Sequence, residues 1–85
     1  MTKEFLNKLQ KGIKNAGMET IEGLWENMQT EERDDIEILC ERKGKALSLH
    51  NIRDILSKNT NLLEAVYNHA DEPEQRDLET LALMA

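Results

Sequence analysis

Apolar residues recur at three- and four-residue spacing along the whole chain, in short segments separated by glycine, proline and capping residues. No run of β-branched and aromatic residues alternates with polar ones, so strand signals are nearly absent. A short amphipathic helix can bury its apolar side only against another helix. The pattern therefore predicts an all-α fold, a compact bundle or orthogonal array of five to six short amphipathic helices. The 85 residues suit a single domain, 1–85.

The expected helix boundaries follow from residues that favour helix ends. Polar side chains with an oxygen acceptor cap the first backbone N–H groups of a helix, and a basic last turn or a glycine favours its end. We expect the first helix over about residues 3–16, with Gly17 as its stop, followed by a short acidic second helix. The third helix is capped by Thr30 and ended by Gly44, and the fourth, over about 49–58, is capped by Ser48. The fifth starts at Asn61, and the sixth has Glu72 as its cap and Pro73 in its first position.

Charge and cysteine content restrict the partners and the compartment. Seventeen acidic and eleven basic residues give a net charge of -6, whereas a dedicated nucleic-acid binder usually carries a basic excess, so we do not expect nucleic acid as the partner. The single Cys40 cannot form an internal disulfide, which is typical of a reducing compartment. No apolar run approaches the roughly 20 residues that span a bilayer, and no secretion signal follows Met1. We expect a soluble, unprocessed, cytoplasmic protein without membrane contact.

The charges are arranged in alternating blocks. Residues 1–16 carry +3, residues 17–42 carry -7, residues 43–58 carry +3 and residues 59–85 carry -5. One interpretation is that the basic first and fourth helices lie beside acidic helices and form surface pairs that contribute little energy each. The other is an acidic face, from Glu19 to Glu41, that attracts a basic partner. The second interpretation makes the side chains of Glu22, Glu26 and Glu37 candidates for partner binding.

The residues that could carry chemistry do not form a recognisable catalytic or metal-binding set. Cys40 shares the apolar side of its helix with Ile36 and Leu39, so we expect it in the core. We expect His50 to be solvated and His69 to be a hydrogen-bonded structural histidine. No glycine-rich phosphate-binding loop is present, and no further ligands are spaced for zinc. We therefore expect no enzymatic activity, no cofactor and no bound metal.

Residues 30–70 resemble a helix-turn-helix core. The resemblance rests on Ile36 and Leu39 in a supporting helix, Lys45 to Ser48 before the next helix, Ile52, Ile55 and Leu56 within it, a turn at Lys58 to Thr60, and Leu63 and Val66 in a final helix. It implies a transcriptional regulator. The helix in the position of a recognition helix, 61–70, contains Glu64 and no Lys or Arg, although base and phosphate contacts rely on such donors. Packing without DNA binding explains the same spacing.

Three apolar residues lie outside the helical stripes. Ile38 is roughly opposite the apolar side of its helix. Leu83 and Met84 lie outside the apolar side that Leu78 and Leu81 define in the last helix. We expect these three side chains to form a contact surface for a partner or for a second copy in a homodimer. The sequence thus favours a small acidic protein-binding module that acts as an inhibitor, immunity factor or adaptor of a larger protein. The alternative is a helix-turn-helix-like transcriptional regulator.

Overall fold

Six α-helices contain 79% of the residues in the computed structural model, which describes residues 1–85, and no strand is present. This result confirms the predicted all-α fold. No helix is long and apolar enough to cross a membrane. The helices are α1 (Lys3–Lys14), α2 (Met18–Asn27), α3 (Thr30–Arg42), α4 (Leu49–Lys58), α5 (Thr60–His69) and α6 (Glu72–Leu83).

Three helices begin at a side-chain cap. The side-chain oxygens of Thr2, Ser48 and Asp71 accept hydrogen bonds of 3.1, 3.3 and 3.2 Å from the backbone N–H three residues later. Each bond satisfies an N–H group that has no partner inside the helix. The predicted cap and start of α4 are therefore confirmed, whereas the cap of α6 is Asp71 and the predicted cap, Glu72, is its first helical residue.

Two other predicted helix starts are wrong by one or two residues. The residue before α3 is Gln29, and Thr30 is already helical. The cap position of α5 is Asn59, two residues before the predicted start at Asn61. Neither Gln29 nor Asn59 forms a side-chain capping bond. Each of these two helices begins as soon as the chain has turned, because the connection before it is very short. Before α5, a single residue, Asn59, both ends α4 and precedes α5.

The end of α3 explains why a glycine follows it. Gly44 has a φ of 66°, a left-handed conformation that other residues adopt only with strain. Its N–H donates to the carbonyl of Glu41 at 3.0 Å, and the next N–H, that of Lys45, donates to Cys40 at 2.9 Å. These two bonds form a Schellman motif and satisfy carbonyls at the helix end.

One apolar core joins all six helices. α1 packs mainly on α6 and α4, and α4 also contacts α2, α3 and α5. Gly12 lies where α1 comes close to α6, against the backbone of Leu81. Cys40 is 2% exposed and belongs to the core, as expected. The buried apolar residues are Leu9, Ile13, Ala16, Ile21, Leu24, Met28, Ile36, Cys40, Ile52, Ile55, Leu56, Leu62, Leu63, Val66, Leu78 and Ala82.

The packing places both basic helices beside acidic ones, as one interpretation of the charge blocks expects. α4 contacts the acidic α2 and α3, and α1 packs mainly on α4 and on α6, which contains four acidic residues and one arginine. The structure contains five ion pairs, and none of them joins α1 or α4 to α2 or α3. The two basic helices are in contact with each other, so cationic side chains collect at their junction.

Candidate functional site

The side chain of Arg33, at the beginning of α3, forms hydrogen bonds to the end of α2. Its Nε donates to the carbonyl oxygen of Trp25 at 2.8 Å, and its Nη2 donates to that of Glu26 at 2.6 Å. The guanidinium carbon also lies 5.3 Å from the centre of the Trp25 ring, which is within the range of a cation–π contact. A cation at the carbonyl end of α2 is favourable because the helix dipole is negative there. The guanidinium therefore binds backbone oxygens, and it forms no ion pair with the neighbouring carboxylates.

Exposed carboxylates lie on both sides of this Trp25–Arg33 contact. At about 100° per residue, Glu22 and Glu26 are about 60° and 100° from Trp25 around α2. Glu37 is one turn after Arg33 on the same side of α3. We call this region the acidic surface and define it as Glu19, Glu22, Glu26, Glu37 and Glu41, all of which are exposed. None of these five carboxylates forms an ion pair within the chain.

The three apolar residues predicted to bind a partner lie on the surface. Ile38 is 45% exposed, Leu83 is 82% exposed and Met84 is 78% exposed. Ile38 borders a groove of about 380 Å³ between α3 and α5, together with Leu39 and Leu62. Leu83 borders a larger groove of about 530 Å³ between α1, α5 and α6. The role of these residues in binding stays a prediction.

The Leu83 groove has an aromatic floor. The rings of Phe5 and Tyr67 meet edge to face with their centres 5.3 Å apart, and the Tyr67 hydroxyl donates a hydrogen bond of 2.7 Å to Glu79 Oε1. This hydrogen bond to the carboxylate raises the pKa of Tyr67, with smaller contributions from burial and from the Glu79 charge. The hydrogen bond thus favours the protonated form of Tyr67, and both Tyr67 and Glu79 line the groove.

The structure does not bring all the predicted partner-binding residues together. Ala65 lines the groove of Ile38 and Tyr67 lines the groove of Leu83, and these two positions are about 160° apart around α5. The two grooves therefore lie on nearly opposite sides of that helix. Met84 borders a third depression, beside Leu24. A single partner surface that includes both Ile38 and Leu83 is not present.

One buried charged residue was missed by the sequence analysis. Glu32 is 2% exposed, and its Oε1 lies 2.7 Å from Nδ1 of His69, which agrees with the expectation that this histidine is hydrogen bonded. The second oxygen, Oε2, is buried without a hydrogen-bond partner. A signal was present in the spacing, because Glu32 precedes the core residues Ile36 and Cys40 by four and eight positions and so lies on the same side of α3.

No group of three or more His, Cys, Asp or Glu side chains is placed to hold a metal ion. His50 is exposed, as expected. Comparison of the chain with protein-family models, with curated proteins and with solved structures finds no match.

Proposed function

We propose that this small acidic cytoplasmic protein binds a larger protein and acts as an inhibitor, immunity factor or adaptor without chemistry of its own. The observation that carries the proposal is the acidic surface, whose five exposed carboxylates have no ion-pair partner within the chain. Uncompensated charge of one sign raises the rate of encounter with a surface of the opposite sign. The expected partner therefore presents a basic surface.

The centre of the acidic surface is suited to binding as well as to attraction. Trp25 is half-buried there and Arg33 lies over its ring. Tryptophan and arginine are the residue types that most often dominate the energy of protein interfaces, while surrounding charged residues set orientation and rate. Glu22, Glu26 and Glu37 would form the charged rim around this pair.

The test compares two variants with the same net charge. In the first, Glu22, Glu26 and Glu37 are changed to Gln. In the second, Glu4 and Glu72 are changed to Gln and Asp77 to Asn, at exposed positions outside the acidic surface. Proteins captured from host extract by the native chain are identified, and the affinity of each for the purified variants is measured.

We expect the first variant to bind its partner about tenfold more weakly, since an exposed charge pair contributes about 0.2 to 1 kcal/mol. The second variant should bind within about twofold of the native chain, and the affinity of the native chain should fall with salt. If the first variant binds the partner as tightly as the native chain, or if both variants lose the same affinity, the acidic surface is not the binding site.

The alternative is a transcriptional regulator that uses residues 30–70. α5 would read the bases, but it contains no Lys or Arg and contacts α1, α3, α4 and α6. No observation favours this alternative over protein binding. Sequence-specific retardation of promoter fragments near physiological salt would make it the better explanation.

A homodimer formed through Leu83 or Met84 is a further prediction. Both side chains are exposed, and a self-complementary patch is what a symmetric dimer requires. Sedimentation of the native chain and of Leu83→Asp at matched concentrations measures it. Identical monomer mass for both at the highest concentration would contradict it.

A further inference from the structure

The contact between α1 and α4 forms a polar groove of about 390 Å³ that contains no apolar residue. It is lined by Lys14, His50, Arg53, Asp54, Ser57 and Lys58. The sequence places the two basic segments far apart, and only the packing of α1 on α4 makes them neighbours. With neutral histidine, three cations and one carboxylate leave a net charge of +2 in a protein whose total is -6.

Two hydrogen bonds hold the groove, one between α1 and α4 and one between α4 and the turn that follows α1. Nη1 of Arg53 donates to the carbonyl of Ala16 at 3.0 Å, and Nε2 of Gln10 donates to the carbonyl of Ser57 at 3.1 Å. The helices run in opposite directions at this contact, so Lys14 lies between the two bonds along α1. Lys14 therefore lines the groove from the α1 side, facing the stretch of α4 that contains Arg53 and Ser57. The two bonds preorganise the groove before any ligand is bound.

The cations of the groove are only partly neutralised. Neither Lys14 nor Arg53 forms an ion pair, and Arg53 uses one of its guanidinium nitrogens for Ala16. The Asp54 carboxylate lies 3.0 Å from Nζ of Lys58 and 3.5 Å from Nζ of Lys45. The hydrogen bond from Lys58 holds the pKa of Asp54 below its usual value, so this carboxylate is ionised near neutral pH.

We propose that the groove between α1 and α4 binds the linked phosphoryl groups of a small oligophosphate, such as the phosphate chain of a nucleotide. Arginine and lysine are the side chains that recognise phosphoryl oxygens, the first through its planar array of N–H donors and the second as a point charge. From His50 to Lys58 the groove extends about 12 Å along α4, which is long enough for two or three linked phosphoryl groups.

A small ligand suits this site better than a nucleic-acid strand. The two helices that form the groove also contact helices of the acidic segments 17–42 and 59–85, which carry -7 and -5: α4 contacts α2, α3 and α5, and α1 contacts α6. A long polyanion would extend beyond the groove into the field of those segments and be repelled, whereas an oligophosphate stays inside it. The site does not include the acidic surface, so phosphoryl binding and protein binding can succeed or fail separately.

The test is calorimetric titration of the full chain with sodium tripolyphosphate at low ionic strength. We expect one tripolyphosphate per chain and weaker binding of inorganic phosphate. Lys14→Gln should weaken tripolyphosphate binding three- to tenfold, and Arg53→Gln about tenfold, because each removes a charged donor. Circular dichroism establishes that the variants are folded. The Lys14 side chain is exposed and makes no ion pair in the chain, so its replacement leaves the fold intact even if that of Arg53 does not.

The matched control is Lys11→Gln, which removes one exposed lysine of α1 outside the groove. We expect its affinity for tripolyphosphate to stay within twofold of the native chain. Equal weakening by Lys11→Gln and Lys14→Gln would show general charge attraction and overturn the site, as would the absence of tripolyphosphate binding. A single-stranded oligonucleotide that binds more tightly than tripolyphosphate, and more tightly with increasing length, would overturn the assignment to a small ligand.

Discussion

Replacement of Gly12 by Ala tests the close contact between α1 and α6. An added Cβ at Gly12 would lie 2.3 Å from the carbonyl oxygen of Leu81 and 2.7 Å from its carbonyl carbon, whereas ordinary contacts begin at 3.4 Å. Both atoms belong to the backbone of α6, so no change of rotamer relieves the overlap. α6 would have to move away from α1 by about 1 Å, which separates well-packed core side chains.

The net effect of Gly12→Ala is the difference between two opposing contributions. Alanine stabilises a helix interior by about 1 kcal/mol relative to glycine. Overpacking against an immobile backbone costs about 3 kcal/mol, at the upper end of the usual range. The expected loss of unfolding free energy is therefore about 2 kcal/mol, which lowers the Tm by about 8 to 16 °C for a domain of this size.

Gly23→Ala is the control, because it makes the same chemical change in a helix interior without a steric conflict. No atom lies within 4 Å of an added Cβ at Gly23. Helix propensity alone then predicts a gain of about 0.5 to 1 kcal/mol and a Tm higher by about 2 to 8 °C. Thermal unfolding followed by circular dichroism measures both. If both variants are more stable than the native chain, the close approach of α1 to α6 is wrong.

Three further predictions concern the surface and the titratable groups. Leu83→Asp should leave the Tm nearly unchanged and Ile52→Asp should unfold the chain, because their exposures are 82% and 2%; similar melting of the two would contradict this. His69→Ala should lower the free energy of unfolding, measured with urea, by about 1 to 3 kcal/mol, because it leaves the Glu32 carboxylate unpaired. The same substitution should lower it much less in a Glu32→Gln chain, and an equal loss in both chains would rule out the pair. The pKa of Tyr67 is raised by folding, so its contribution to stability is complete below its unfolded value of 10.0 and is lost as the pH rises through the folded value. Urea unfolding at increasing pH above 10 should therefore show a smaller loss for Tyr67→Phe than for the native chain; equal losses would refute the contribution.

Local features of the sequence account for the helices. α4 was predicted with its observed ends, because the Ser48 cap and the apolar spacing of Ile52, Ile55 and Leu56 involve residues only a few positions apart. The burial of Cys40 and the exposure of Ile38 follow in the same way from their positions around α3. The starts of α3 and α5 were misplaced because connections of one or two residues depend on how the flanking helices pack.

Tertiary structure decided which helix covers each apolar stripe, and with it every candidate site. The spacing of apolar residues indicates which side of a helix is buried. Many different pairings of six short helices would bury the same apolar sides. Only the packing of α1 on α4 brings Lys14 and Arg53 into one groove, and only the arrangement around α5 separates Ile38 from Leu83. These contacts join residues distant in sequence, and the side-chain pattern within one helix carries no information about its neighbour.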